Sequence, residues 1–164
     1  MFALKSATAG TKQERYAELL DQARALLAGE RDATANAANL GSLIYHSLPG
    51  LNWAGVYWMK GGELVLGPFQ GKPACVRIAI GKGVCGTAAR DRRTVVVPDV
   101  AAFPGHIACD SASRSEIVVP LVLDGRVVGV LDFDSPDPQR FDDADARGLE
   151  ALAREFVAAT DLEA

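Results

Sequence analysis

The chain has 164 residues, with 17 basic against 21 acidic side chains and a formal net charge of −4. Hydrophobic residues make up 49% and charged residues 23%, which is typical of one globular domain and argues against a disordered chain. No segment is strongly basic, so nothing indicates a nucleic-acid-binding surface. No apolar run is long enough for a signal peptide or a membrane span, and we therefore expect a cytoplasmic protein without a membrane partner.

The first 50 residues predict two helices. Thr11 and Glu14 have the spacing of a capping box, apolar residues follow at helical spacing, and Gly29 ends the helix. Asp32 can cap a second helix, which the pair Pro49-Gly50 follows. Two helices before any strand argue against an all-β domain.

The middle of the chain predicts strands. They cover residues 53–59, 64–69, 75–80 and 94–97, with a turn at 60–62 and a glycine-rich bend at 81–86 that leads into a short helix near residue 87. Residues 98–114 form a long irregular segment, and segments of this length inside compact domains are usually functional. Two longer strands at 115–123 and 126–134 and a last helix capped by Asp142 complete an α+β domain built on an antiparallel sheet.

The last predicted hairpin is apolar on both faces. Alternation places Val118, Val122, Val128 and Val130 on one face and Ile117, Val119, Leu121, Leu131 and Phe133 on the other. Both faces should therefore be covered. We expect the terminal helices on one face and, on the other, a pocket roofed by the long irregular segment and the glycine-rich bend.

Carboxylates lie at the end of this hairpin. Asp132 and Asp134 point to one face, where acids are costly unless they are paired or functional. A two-residue turn at Asp124-Gly125 would set Glu116 opposite Phe133, on the wrong face. A three-residue loop would instead pair Glu116 with Asp132. We expect the second register, which gathers three acids at one end of the pocket; the alternative is a solvated strand end.

An aromatic pair, a glycine-rich run and the cysteines each leave more than one interpretation open. Trp53 and Tyr57 share a strand face, where they could be either core residues or the wall of a ligand pocket. The run from Gly81 to Gly86 matches a dinucleotide-binding motif literally, but the strand-helix-strand unit around it is too short.

The three cysteines are an odd number in a compartment that keeps thiols reduced. Cys75, Cys85 and Cys109 could be small buried hydrophobes, or zinc ligands together with His106. Cys75 and Cys109 occupy segments where exposure is expected. Cys85, at a helix start, should have either a lowered thiol pKa or plain burial.

Five segments of the chain resemble the free methionine-R-sulfoxide reductases, which are single GAF-domain enzymes. They are Gly67–Cys75, Gly81–Gly86, Gly105–Ser111, Ser115–Pro120 and Gly129–Ser135. The resemblance runs from about residue 17 to 157. It implies one GAF domain over residues 1–164, with a flexible start at 1–10 and a core at about 11–158.

The resemblance also implies an activity, the thiol-dependent reduction of free L-methionine-(R)-sulfoxide, and a role for each matched residue. Cys109 is then the catalytic cysteine, Cys75 the resolving cysteine that forms a disulfide with it, and Cys85 an auxiliary thiol. Glu116, Asp132 and Asp134 hold the substrate, and Trp53 and Tyr57 line its methyl-sulfur end. The family implies thioredoxin as reductant and a homodimer, and we expect no cofactor and no metal.

Crowded acids raise the pKa of a nearby thiol, which disfavours a nucleophile. The ammonium group of a free amino acid would offset part of that charge, and acids that share a proton could protonate the sulfoxide oxygen. The alternatives to an enzyme are a GAF module that senses a small ligand or redox state without turnover, and a zinc-stabilised structural domain.

Overall fold

A computed structural model of the protein describes residues 10–107 and 110–162, so Cys109, which the resemblance implies is the catalytic cysteine, lies outside the described residues. The described part contains four α-helices, one 3-10 helix and one six-stranded sheet. The helices are α1 (Lys12–Leu27), α2 (Ala33–Ser47), α3 (Gly83–Asp91) and α4 (Asp143–Ala159), with the 3-10 helix at Val100–Ala102. The strands are β1 (Trp53–Lys60), β2 (Glu63–Gly71), β3 (Arg77–Ala79), β4 (Val95–Val97), β5 (Ser115–Leu123) and β6 (Arg126–Ser135).

The helix starts follow the predicted capping residues. Thr11 forms a full capping box with Glu14, and Asp32 accepts a hydrogen bond from the backbone of α2. Asp142 caps α4 and forms a second capping box with Asp145. Each cap satisfies backbone N–H groups that a helix leaves unpaired at its start and contributes about 1 kcal/mol.

The sheet is antiparallel throughout, in the order β3-β2-β1-β6-β5-β4. Helices α1, α2 and α4 cover one face, where Leu40, Ile44, Leu152, Phe156 and Phe133 are fully buried. Helix α3 lies on the other face, over a second apolar cluster. The predicted α+β fold, with the terminal helices on one face, is confirmed. None of the helices in the described part of the chain is long and apolar enough to span a bilayer.

The register of the β5–β6 hairpin differs from the prediction. Asp124 and Gly125 form a two-residue turn with φ values of 48° and 77°. Leu123 pairs with Arg126 and Val122 with Val127, but a bulge then shifts the register, and Leu121 pairs with Gly129. The predicted three-residue loop and the pairing of Glu116 with Asp132 are therefore wrong.

The bulge nevertheless brings Glu116 onto the predicted face, because one extra residue in β6 reverses which side each later residue points to. Glu116 pairs directly with Asp134, and Asp132 lies on the same face. The same bulge corrects two other assignments: Val128 packs on the α1/α2/α4 side rather than beside Val130, and Val122 is 41% exposed rather than covered.

Strand β3 is shorter than predicted. Only three of its residues pair with β2, so Cys75 precedes the strand instead of opening it. Pro73 lies in the intervening loop and has no backbone N–H to donate to a sheet. β2 runs on to Gly71, two residues past the predicted end.

Candidate active site

Three neighbouring strands place the candidate residues in rows on the α3 side of the sheet. Trp53 of β1 pairs with Asp134 of β6, which pairs with Glu116 of β5. The next row on the same face holds Asp132, between Gly55 and Val118. Side chains directly opposite each other across antiparallel strands lie about 4.5–5.5 Å apart at Cβ, so the sheet itself brings the acids and the aromatic wall together.

The aromatic wall consists of stacked rings. The ring centroid of Trp53 lies 5.9 Å from that of Tyr57 and 5.2 Å from that of Phe69, with interplanar angles of 24° and 12°. Trp53 Nε1 donates to the backbone oxygen of Lys72, and Tyr57 Oη donates to that of Cys75. Both polar tips are thereby satisfied, and both residues line the cavity as an apolar wall.

Gly55 allows this stacking. A Cβ at Gly55 would lie 2.5 Å from the Cβ of Phe69 and 2.6 Å from Cη2 of Trp53, closer than real contacts come. The indole ring of Trp53 therefore occupies the space beside Gly55 that a side chain would fill. The aromatic wall therefore requires a small residue between the two aromatic positions of β1.

Cys85 enters the same site from α3. A Cβ at Gly86 would clash with the backbone oxygen of Ala79, so this glycine lets the start of α3 approach the end of β3 closely. Cys85 is 4% exposed, and burial raises the pKa of its thiol well above its ordinary value, with Asp132 and Glu116 adding to the rise. Of the two sequence-based expectations for Cys85, the structure supports burial and not a lowered pKa, because desolvation outweighs the helix start.

Two of the three acids at the site are buried, and Asp134 is half-buried. Glu116 and Asp132 are each 6% exposed. Burial raises the pKa of Glu116 well above its ordinary value, and the charge of Asp134 adds to the rise. Burial also raises the pKa values of Asp132 and Asp134, each helped by the charge of a neighbouring acid of the cluster. The raised pKa values favour the protonated carboxyl groups, which in that form can donate hydrogen bonds and protons.

One carboxyl oxygen is left without a partner. Oδ1 of Asp132 is buried and forms no hydrogen bond within the described part of the chain. A buried oxygen in this state is costly unless a bound molecule supplies a donor.

Metal-ligand chemistry has one candidate set among the described residues. A sulfur of Cys85 and carboxylate oxygens of Glu116 and Asp132 lie within 4.8 Å of one another. Metal ions need these ligands deprotonated, whereas burial here favours the protonated forms. The zinc set considered from the sequence includes Cys109 and so extends beyond the described residues.

The irregular segment after β4 closes the site and is tied to the sheet through Asp110. Asn52 Nδ2 donates to Asp110 Oδ2 at 3.3 Å and to Ser113 Oγ at 3.1 Å. Lys72 Nζ lies 3.3 Å from Asp110 Oδ1. The backbone N–H of Ala112 holds the pKa of Asp110 below its ordinary value, and Lys72 contributes, so this carboxylate stays charged.

His106 extends from the same segment to the acids. Its Nε2 atom lies 3.3 Å from Oε2 of Glu116, and its side chain is 15% exposed. Burial lowers the pKa of the imidazole, which favours the neutral ring.

These residues surround one cavity with about 510 Å³ of space between its lining atoms, the water at its mouth included. Six of the eight residues expected from the sequence line it: Trp53, Tyr57, Cys85, Glu116, Asp132 and Asp134. Cys75 is half-buried at the edge, in contact with Tyr57 through its backbone oxygen. Cys109 and the predicted Cys75–Cys109 disulfide lie outside what the structure describes.

Four polar lining residues were not predicted as site residues: Lys72, His106, Asp110 and Ser113. All but Lys72 belong to the irregular segment. Their shared signal was a dense polar stretch in a long loop, but without periodicity the sequence does not show which of its side chains turn inward.

The chain is similar to proteins of known type over most of its length. A family profile of the GAF domain matches residues 36–161. The chain is 50% identical to the free methionine-R-sulfoxide reductase of Escherichia coli over 145 residues, which cover 88% of each chain. It is 47% identical to the free methionine-R-sulfoxide reductase of Saccharomyces cerevisiae over 151 residues, covering 87% of this chain and 84% of the yeast protein.

The fold agrees with these sequence matches. The X-ray structure of the free methionine-R-sulfoxide reductase from Neisseria meningitidis in complex with its substrate superposes with a TM-score of 0.93 and 46% identity, covering 97% of this chain and 95% of that one. The protein therefore belongs to the GAF-domain family and, within it, to the free methionine-R-sulfoxide reductases.

Proposed function

We propose that this protein is an oxidoreductase that reduces free L-methionine-(R)-sulfoxide to methionine. The observation that carries the proposal is one cavity in which three carboxyl groups, two of them buried, adjoin a stacked aromatic wall and a cysteine. The R selectivity comes from family membership, since nothing in the cavity geometry ranks the two sulfur epimers.

The two ends of the substrate match the two sides of the cavity. Glu116, Asp132 and Asp134 would bind the ammonium group, whose charge offsets the repulsion among carboxylates and whose N–H groups can reach the unpartnered Oδ1 of Asp132. The rings of Trp53 and Tyr57 would contact the methyl-sulfur end. An amino acid with a free ammonium group fits this arrangement better than a residue within a peptide, whose amide nitrogen is neutral.

The chemistry assigned to the thiols balances without a cofactor. The thiolate of Cys109 attacks the sulfoxide sulfur, and the sulfoxide oxygen takes one proton. That oxygen then passes to the Cys109 sulfur while the bonds from the methionine sulfur to oxygen and to Cys109 break, so the products are methionine and a Cys109 sulfenic acid. A protonated acid of the cluster supplies that proton. The thiol of Cys75 then attacks the sulfenic acid, forming the Cys75–Cys109 disulfide and releasing water. Cys85, with its raised pKa, is an auxiliary thiol rather than the first nucleophile.

The disulfide must be reduced again before the next turnover. We assign that step to thioredoxin by thiol–disulfide exchange, which places the cycle in the cytoplasm, and we propose a homodimer built from single GAF domains with a core at about residues 11–158. The assignments of thioredoxin as reductant and of a homodimer rest on family membership.

The test is consumption of free methionine sulfoxide, with the two sulfur epimers resolved and a small dithiol as reductant. We expect loss of the R epimer alone, no loss with Cys109→Ser, and no loss of N-acetylmethionine sulfoxide. A ligand-sensing GAF module would bind methionine sulfoxide without consuming it. That result, or unchanged consumption by the Cys109→Ser variant, would contradict the proposal.

A further inference from the structure

His106 is the one imidazole at the cavity, since the chain has two histidines and the other, His46, lies in the last turn of α2 with its ring against Tyr45. We propose that His106 is a positioning residue that acts through Glu116 by returning a proton to that carboxylate in each turnover. The inference rests on the proposed reductase function and adds a residue to its proton transfer.

The contact has the geometry that such a transfer needs. Nε2 of His106 and Oε2 of Glu116 are 3.3 Å apart, and groups that transfer protons lie about 2.6–3.2 Å apart, often farther before the substrate binds. The imidazole is 15% exposed and the carboxyl 8%, so the ring is the more accessible member of the pair. It extends from the irregular segment to the buried acid.

The charges around the ring favour this role. The titratable groups that share the cavity with it are Tyr57, Lys72, Cys85, Asp110, Glu116, Asp132 and Asp134. Of these described groups Lys72 is the one cation, and its ammonium lies beside Asp110 at 3.3 Å. Glu116, Asp132 and Asp134 therefore share the cavity with His106, and none of them forms an ion pair with a lysine or arginine among the described residues.

The resting protonation is consistent with an acid ready to donate. Burial lowers the pKa of His106, whereas burial and the charge of Asp134 raise that of Glu116. A single proton shared by the two groups is thereby favoured on the carboxyl oxygen, with the imidazole neutral. Glu116 can then act as a general acid, and donation leaves a buried carboxylate that must regain a proton.

Proton balance identifies the source of that proton. Forming a sulfenic acid and methionine from a thiol and a sulfoxide consumes no net proton, because ionisation of the attacking thiol releases one and the departing oxygen takes one. The imidazole takes up the released proton and passes one through the Nε2–Oε2 contact to Glu116. Because the resting carboxyl proton faces Nε2, the neutral ring carries its own proton on Nδ1; it takes up the released proton at Nε2 and returns to its starting tautomer when that proton passes to Glu116.

The test measures one turnover, so that recycling by a reductant does not limit the rate. Pre-reduced protein is freed of dithiol, mixed with free methionine-(R)-sulfoxide and quenched at intervals, and the methionine formed per chain is quantified. We expect His106→Ala to slow its formation by about 10- to 100-fold, part of the effect of a general acid–base group. The matched control, His46→Gln, should react at the wild-type rate.

Two further measurements separate proton transfer from a merely structural role. Added imidazole should accelerate His106→Ala, and the accelerated rate should fall as the pH rises through the pKa of imidazole, because imidazolium is the donor. His106→Gln keeps a hydrogen-bonding group near Glu116 but cannot carry a proton, so it should be as slow as His106→Ala. It also carries the test if His106→Ala does not fold.

The outcomes distinguish the inference from the function beneath it. A His106→Gln rate within twofold of the wild-type rate would show that a hydrogen bond suffices, and would overturn the inference while the reductase function stands. A slow His106→Ala variant that imidazole does not accelerate would overturn it as well. If the pre-reduced wild-type protein forms no methionine, the proposed function itself fails.

Discussion

Removing the charge of Asp132 without changing its shape should make the protein more stable and less active. Asp132 is 6% exposed, its Oδ1 lacks a partner in the described structure, and burial followed by the charge of Glu116 raises its pKa. Such a group destabilises the folded state at neutral pH, because the unfolded chain can ionise freely and the folded chain cannot. Asp132→Asn keeps the size and a polar end but has nothing to ionise.

The stability difference between wild type and Asp132→Asn depends on pH, and the raised pKa of Asp132 fixes the direction of that dependence. Below about pH 4 the carboxyl is protonated in both states, so its ionisation contributes nothing to the difference between wild type and variant. As the pH rises, the wild type loses stability relative to Asp132→Asn until the pH passes the folded-state pKa. Each tenfold displacement of the protonation equilibrium corresponds to about 1.4 kcal/mol. We therefore expect the stability of the variant relative to the wild type to rise between pH 4 and pH 8, and its melting temperature to rise relative to the wild type over the same range.

Urea unfolding of both proteins at pH 4, 6 and 8 measures this difference directly. The control is Asp142→Ala, because its N-cap hydrogen bonds and Lys12 lower the pKa of Asp142 to about 2. Its effect should have the opposite sign: a loss of about 1 kcal/mol at pH 8 that disappears only as the pH falls toward 2. A stability difference for Asp132→Asn that does not grow with pH would refute a raised pKa at Asp132.

Two further predictions concern the wall and the buried thiol. Gly55→Ala should displace Trp53, which lowers the unfolding free energy by about 1–3 kcal/mol and raises the KM for methionine sulfoxide. The control is Gly41→Ala, at a buried helix position where the nearest atom to a new Cβ is 3.6 Å away, and it should not lower the unfolding free energy. An unchanged KM for Gly55→Ala would separate the aromatic wall from substrate binding. Alkylation of the native, reduced protein with iodoacetamide at pH 8, followed by peptide mass mapping, should modify Cys75 well before Cys85, because burial keeps the Cys85 thiol protonated. Equal rates would contradict a raised pKa at Cys85.

The sequence predicted the elements well where local chemistry decides them. Capping residues Thr11, Asp32 and Asp142 set the starts of three helices, and the turn residues set the two long hairpins. The order of helices and strands was enough to give the α+β class and to place the terminal helices on one face.

The sequence did not predict the register of the β5–β6 hairpin. The turn at Asp124-Gly125 is the two-residue turn that its sequence favours, and the bulge that follows leaves no distinctive residue pattern. A bulge becomes favourable through packing: it lets β6 turn Val128 toward the helices while Asp132 and Asp134 face α3. The three acids share a face as predicted, but because of the bulge in β6 and not because of a three-residue loop.

The sequence-based prediction of the site was incomplete for a similar reason. Spacing along strands identifies which of Trp53, Tyr57, Asp132 and Asp134 share a face, because strand side chains alternate. The position of His106 beside Glu116 depends instead on how an irregular segment closes over the sheet, a long-range property that no local pattern contains. The raised pKa of Cys85 likewise follows from tertiary burial, which outweighs the local effect of a helix start.

The central claim is that two cysteines of one chain carry out a single reduction. Pre-reduced protein without external reductant, given excess free methionine-(R)-sulfoxide, should form one methionine per chain and lose two hydrogens in mass, with the new disulfide mapping to Cys75 and Cys109. The S epimer should leave the protein reduced. No methionine, or methionine formed without loss of thiols, would contradict the account.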